Sequence, residues 1–175
     1  MKKIVTILIC FSLCIIFCGC DVHNNDTQAL LRIHIRANSN ASADQQVKLK
    51  VRDAVNDYLE RELDGVKTFD EAYKRLSQKL AVINKMAGDV LARNGFKYGV
   101  RVKLNNEFFP TRAYGDIVIE SGYYDALIIE LGEGKGDNWW CVIYPPLCYV
   151  KPSGEGNIQY KSLIKELWEK YFGKN

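Results

Sequence analysis

Histidine is nearly missing from these 175 residues: there are two, His23 and His34. Of six cysteines, four lie at or before position 20, so only Cys141 and Cys148 serve the rest of the chain. None of these residues shows the paired short spacings of a zinc site. His34 also stands between Arg32 and Arg36, whose charge disfavours a cation. No metal site is expected. No Gly-x-Ser-x-Gly elbow occurs, and one internal histidine leaves little from which to build a nucleophile and its base, so no catalytic residue is assigned. Gly132-Glu133-Gly134-Lys135-Gly136 has the look of a phosphate cradle, but it runs into Trp139-Trp140 and a strand. A phosphate loop opens a helix instead. A hairpin loop whose glycines take positive φ is the better reading, and no cofactor is expected.

Strong charge of either sign is missing too. Lys and Arg total 24 against 21 Asp and Glu, a formal charge of +3. Removing residues 1–20 takes Lys2 and Lys3 and lowers it to +1. A body so close to neutrality has no field with which to hold nucleic acid. No apolar run reaches the roughly 20 residues of a membrane span. The run over 4–17 follows Lys2-Lys3 and precedes small residues, which describes a secretory signal peptide over 1–20. Phe17-Cys18-Gly19-Cys20 loosely follows a lipobox, in which Cys20 would carry lipid and anchor the protein to a membrane. Simple cleavage, releasing a soluble product, is the alternative. An exported protein can join Cys141 and Cys148, which flank a turn at Pro145-Pro146, in a disulfide. Two buried free thiols are the other option.

What is present has clear periodicity. Residues 21–28 are polar and read as a flexible tether. Leu31, Ile33 and Ile35 then alternate with Arg32, His34 and Arg36, the period of a half-buried strand. Ser42 and Gln45 read as a capping box opening a helix with one apolar stripe: Val47, Val51, Val55 and Leu59. Gly65 marks its end. A second long helix starts at Thr68, capped with Glu71, and its stripe runs from Phe69 to Leu91 before Asn94-Gly95 stops it. From Tyr98 the period changes to two, with strands over 98–104, 116–120, 126–131 and 139–144 and a further one over 147–150. A last amphipathic helix carries Leu163, Ile164, Leu167, Trp168 and Tyr171. This order predicts an α+β fold: a mainly antiparallel sheet, two long helices after the first strand, and a C-terminal helix, in a single domain over 29–175.

Two features exceed the needs of a core. Arg32, His34 and Arg36 share one strand face, which is either solvated or a patch for an acidic partner. Trp139 and Trp140 point to opposite faces, so one can fill the core while the other meets a partner.

Four blocks also resemble a known family. Leu31-Arg32-Ile33-His34-Ile35-Arg36-Ala37-Asn38-Ser39-Asn40 resembles the first strand and loop of stage II sporulation protein R, and residues 45–55 resemble that family's first helix. Phe109-Pro110-Thr111-Arg112-Ala113-Tyr114-Gly115-Asp116 is similar to its mid-chain signature. The longest and most distinctive block runs from Gly132 to Cys148 and includes Asn138-Trp139-Trp140-Cys141-Val142-Ile143-Tyr144-Pro145-Pro146. The resemblance implies a protein exported from the forespore of an endospore-forming bacterium into the space between forespore and mother-cell membranes. There it would activate a membrane-embedded aspartic protease that processes pro-sigma-E, acting as a signal and not as an enzyme. The candidate contact surface is Arg32, His34 and Arg36, with Asn38 and Asn40 from the first loop and Lys135 and Trp139 from the glycine-rich one. The family does not require a lipobox, so it adds nothing to the lipid reading of Cys20, and residues 160–171 lie beyond the matching blocks. The alternative is an exported enzyme acting on the cell wall, with His34 set against a carboxylate or Cys148.

Overall fold

The computed structural model describes residues 30–114 and 117–147. The expected signal peptide and tether, residues 148–150 of the last expected strand and the expected C-terminal helix lie outside them.

Strand β1 (Leu31–Arg36) leads through a loop over 37–41 into helix α1 (Ser42–Glu62). The apolar stripe of α1 is buried as its spacing predicts. Its start differs from expectation. Ala41 is the N-cap and has no side-chain acceptor. Gln45 Nε2 donates to the Ser39 carbonyl instead of closing a box with Ser42, and Ser39 Oγ accepts the Ala41 N–H. Asp44 is the physical reason: it turns inward and fixes Asn38 and Ser39 ahead of the helix.

Helix α2 (Phe69–Ser77) starts where the sequence places it. Thr68 accepts the Glu71 N–H, and the Glu71 carboxylate accepts that of Lys67. The single long helix expected from Thr68 is two, because α3 (Leu80–Arg93) begins only after Gln78 and Lys79. Ser77 Oγ donates to the Lys74 carbonyl, and the N–H groups of Gln78 and Lys79 bond three residues back, to Arg75 and Leu76. That tightening ends the α-helical ladder. The apolar period survives the break: Ala72, Leu76, Ile83, Ala87 and Leu91 enter one core. Gly95, at φ 81°, terminates α3.

The remaining strands are β2 (Val100–Phe109), β3 (Arg112–Tyr114), β4 (Ile117–Ile119), β5 (Gly122–Leu131) and β6 (Asn138–Tyr144). The main sheet has four strands in the order β2-β5-β1-β6, while β3 and β4 pair only with each other. β2–β5 and β1–β6 are antiparallel, and the central pair β1–β5 is parallel. The sheet is thus mostly antiparallel with one parallel pair at its heart, reached by the long helical crossover that parallel strands require.

Helices cover the face bearing Leu31, Ile33, Ile35, Leu127, Ile129 and Ile143. The other face is covered as well. Register sets Glu107 opposite Tyr124 and Phe109 opposite Gly122, beyond the start of β1. Yet Phe109 lies on Arg32 and His34, and Glu107 reaches both His34 and Arg36. Both facts hold only if the outer half of the β2–β5 ribbon curls back over the sheet, as the strong twist of a two-stranded ribbon favours. The β3–β4 hairpin closes the same side, with Ile119 against Leu30, Val142 and Leu147.

Candidate functional site

Strand β1 carries Arg32, His34 and Arg36 on the face away from the helices, as alternation predicts. That face is not solvated. Arg32 is 0% and His34 2% exposed, so the open cationic patch expected there is absent. Periodicity told which side the residues occupy, and the curled ribbon decides what covers them. Arg36 is committed internally: Nη1 lies 2.7 Å from Glu130 Oε1 and Nη2 2.5 Å from Glu107 Oε1. Glu130 stands beside Arg36 in register on β5 and also takes Arg101 at 3.1 Å. Burial pushes both carboxyls up, but the hydrogen bonds from His34 and Arg36 to Glu107, and that from Arg101 to Glu130 with the Lys103 and Arg36 charges, prevail and hold both below the usual carboxylate range.

His34 Nδ1 is 3.0 Å from Glu107 Oε2. An ionised carboxylate only accepts, so Nδ1 carries the hydrogen and donates it. Nε2 is buried with no hydrogen-bond partner. The ring stacks on Trp140, centroids 3.6 Å apart. Burial lowers the imidazole pKa and outweighs the upward pull of Glu107, while the Arg36 charge adds to the fall. His34 is therefore neutral at neutral pH.

Arg32 is the most unusual of the three. Nη2 donates to the Tyr114 hydroxyl at 2.9 Å, whereas Nε and Nη1, with three N–H bonds between them, have no hydrogen-bond partner. The guanidinium is held between rings, with Cζ 4.3 Å from the Phe109 centroid and 5.0 Å from that of Tyr124. Desolvating such an ion costs several kcal/mol. A desolvated cation–π contact returns about 2 kcal/mol, so the rings offset much of the cost and leave the donors unused.

The second group of predicted residues meets through backbone. β5 and β6 flank β1, so the segment joining them crosses the end of β1 and is no hairpin turn. It is pinned to the 37–40 loop. Asn38 Oδ1 accepts the Glu133 N–H and Asn40 Oδ1 that of Asp137, while the Lys135 and Gly136 N–H groups bond to the carbonyls of Asn38 and Ala37. Gly136 has no room for a Cβ, which would meet the Ser39 carbonyl. Buried Asp44 accepts from Asn38 Nδ2, Ser39 Oγ and the Tyr98 hydroxyl. Burial pushes its carboxyl up, but these hydrogen bonds outweigh burial and hold it low; burial and Asp44 push the Tyr98 phenol up. Lys48 Nζ donates to Gln45 and to the Asp137 carbonyl. Asn38 and Asn40 are thus braces between loops. Lys135 is exposed and paired with Glu133 at 2.7 Å.

Trp139 and Trp140 do take opposite faces, and each is half-buried: Trp139 packs against the helix-side core with Arg52 5.8 Å from its ring, and Trp140 lies under the curled ribbon. Cys141 is disulfide-bonded; Cys148 and Cys20 lie outside the described residues. Sequence reasoning missed Glu107, Glu130, Tyr114, Asp44 and Lys48, whose roles depend on long-range contacts. It also missed the exposed cross-strand pair Phe108 and Tyr123. Two adjacent phenylalanines in a strand must face opposite sides, and that signal was available. Among the described residues, no group of three or more His, Cys, Asp or Glu is placed to hold a metal, and no helix is long and apolar enough to cross a membrane.

A family model described as stage II sporulation protein R matches residues 27–153, a range that contains every described residue. The chain is 38% identical over 120 residues to stage II sporulation protein R of Bacillus subtilis (strain 168). That match takes in 69% of this chain and 54% of the relative, so the chain spans about half the length of the curated relative it matches. No solved structure matches. With β1, both docked loops and the curled ribbon all inside the matched range, the chain belongs to the stage II sporulation protein R family.

Proposed function

We propose that this chain is an exported signal of endospore formation that activates a membrane-embedded aspartic protease, which then processes pro-sigma-E. Family membership over residues 27–153 is the observation that carries the reading. The chemistry is consistent with action by contact. The polar groups of Arg36 and of the first loop are spent on internal bonds, which leaves a body that presents shape and a few exposed groups. A ligand shifts a receptor's equilibrium by its differential affinity for two states, so such a body activates by binding the active arrangement of the protease better than the resting one. It works in the space between the forespore and mother-cell membranes, soluble or held there by lipid on Cys20.

Co-expression of this chain, the protease and pro-sigma-E in a non-sporulating host tests the reading. Precursor cleavage should appear only when all three are present. Equal cleavage without this chain, or none with it, rejects the activator role.

One observation favours an enzyme as a second reading. His34 and Glu107 form the pair in which a carboxylate orients an imidazole base. Against it, the free nitrogen is buried and the ring lies flat on Trp140. His34→Gln would abolish turnover in an enzyme and spare an activator.

A further inference from the structure

Strand β2 is one edge of the main sheet. It pairs with β5 from Val100 to Phe109 without a register shift and contains no proline, whereas β6, the other edge, is shorter and its ladder shifts at Leu31/Arg32. The Gly132 N–H bonds to the Gly99 carbonyl. Antiparallel alternation then turns the backbone groups of Arg101, Lys103, Asn105 and Glu107 toward β5 and those of Val102, Leu104, Asn106 and Phe108 away from it. Val100 shows the outward direction, because its carbonyl accepts from Asn84 Nδ2 of α3. From Val102 to Phe108, no hydrogen bond to the outward groups occurs among the described residues.

The side chains along this edge are sorted by face. On the side away from the helices, Arg101 and Lys103 are exposed and lie 3.1 and 3.8 Å from Glu130, which also takes Arg36. Even with Glu107 on Arg36, three cations there face two carboxylates. On the opposite side, beyond the reach of the helices, Phe108 and Tyr123 stand opposite one another in register with their rings edge to face. They are 52% and 73% exposed. Cations on an edge strand guard it against neutral and basic strands. An acidic strand meets attraction instead, since opposite charges across a ladder stabilise pairing.

We propose that the outer edge of β2, from Val102 to Phe108, takes an extended segment of the partner protein as an added strand of the four-stranded sheet. Side chains of an added strand alternate between the two faces. The segment therefore alternates acidic residues, set beside Arg101 and Lys103, with apolar ones, one of them set on the Phe108–Tyr123 pair. This deepens the activator reading and rests on it for the identity of the partner.

Asn106→Pro in the full chain is the primary test, with Asn106→Ala as its control. The Asn106 N–H points outward, so proline removes a donor from the free edge and none from the β2–β5 ladder. Both variants should fold with similar urea midpoints. Asn106→Pro should trigger precursor cleavage at least ten-fold less than wild type in the co-expression assay, and Asn106→Ala should match wild type. Wild-type cleavage by folded Asn106→Pro overturns the proposal. If that variant does not fold, the double variant Arg101→Glu, Lys103→Glu decides in its place: a comparable loss supports the acidic strand, and wild-type cleavage overturns it. A capped peptide alternating Glu and Val probes the edge without the protease. It should shift the amide resonances of Val102, Leu104, Asn106 and Phe108, and a peptide alternating Lys and Val should not. Equal shifts with both peptides, or none with the first, overturn the proposal. So does a concentration-dependent dimer of the wild-type chain that Asn106→Pro dissolves, which would assign the edge to a second copy. Failure of the wild-type chain itself to trigger cleavage sinks the activator reading and leaves the peptide titration to decide the edge.

Discussion

Nδ1 of His34 and Oε2 of Glu107 lie 3.0 Å apart under a cover that keeps the imidazole neutral, and that arrangement ties stability to pH. The folded pKa of His34 lies below its unfolded value of about 6.5. As pH falls through that value, the unfolded chain takes up a proton that the folded one refuses, so stability declines. Glu107 acts lower down. Its folded pKa is below the model-peptide value, so its contribution is present above about pH 4.5 and is lost as pH falls through the folded value. Urea midpoints measured from about pH 8 to pH 4 should therefore be flat at first, decline below about pH 6.5, and decline further below about pH 4.5. His34→Gln should erase the upper step and keep the lower one; an unchanged upper step would place its origin elsewhere. Glu107→Gln removes a charged partner from both His34 and Arg36 and should cost about 1–3 kcal/mol near neutral pH. None of this was visible in Arg32-Ile33-His34-Ile35-Arg36. An alternating strand looks half-exposed whenever its second face is polar, and only the return of Glu107 and Phe109, some seventy residues on, buries that face.

Among the elements, those set by local chemistry were legible and those set by distant contacts were not. The Thr68 cap, the Gly95 stop, the stripe of α1 and the strands ending at Leu131 and Tyr144 follow from nearby residues. The break after Ser77 was hidden because the apolar spacing passes through it unchanged while one hydroxyl takes the Lys74 carbonyl. The parallel β1–β5 pair and the crossing of β1 by residues 132–137 were hidden because strand order is not written in periodicity. That crossing makes a sharp contrast between two glycines. Gly136→Ala forces a Cβ against the Ser39 carbonyl and should cost about 1–3 kcal/mol, loosening both loops together. Gly88 lies inside α3 with nothing near its would-be Cβ, so Gly88→Ala should add roughly 0.5–1 kcal/mol through helix propensity. Urea titration of the two variants reads opposite signs; a stabilising Gly136→Ala would show that the loops are not locked as described.

Across the described residues as a whole, the sheet is a middle layer with helices on one side and its own curled ribbon on the other. β1 and the inner half of β5 (126–131) sit at the centre, hydrogen-bonded along both edges and buried on both faces, so their amides can exchange only when the sheet comes apart. The β3–β4 hairpin has neither protection. Among the described residues β3 and β4 share a ladder only with each other, and Ile119, Ile117, Tyr114 and Arg112 pack or bond against the body through side chains. Local opening there should require far less free energy than global unfolding. Native-state hydrogen exchange should accordingly find residues 31–36 and 126–131 exchanging at the global rate and residues 112–114 and 117–119 exchanging much faster, with little dependence on low concentrations of urea. Equal protection of 112–114, 117–119 and the central strands would show that side-chain packing alone secures this hairpin as firmly as the ladders secure the main sheet.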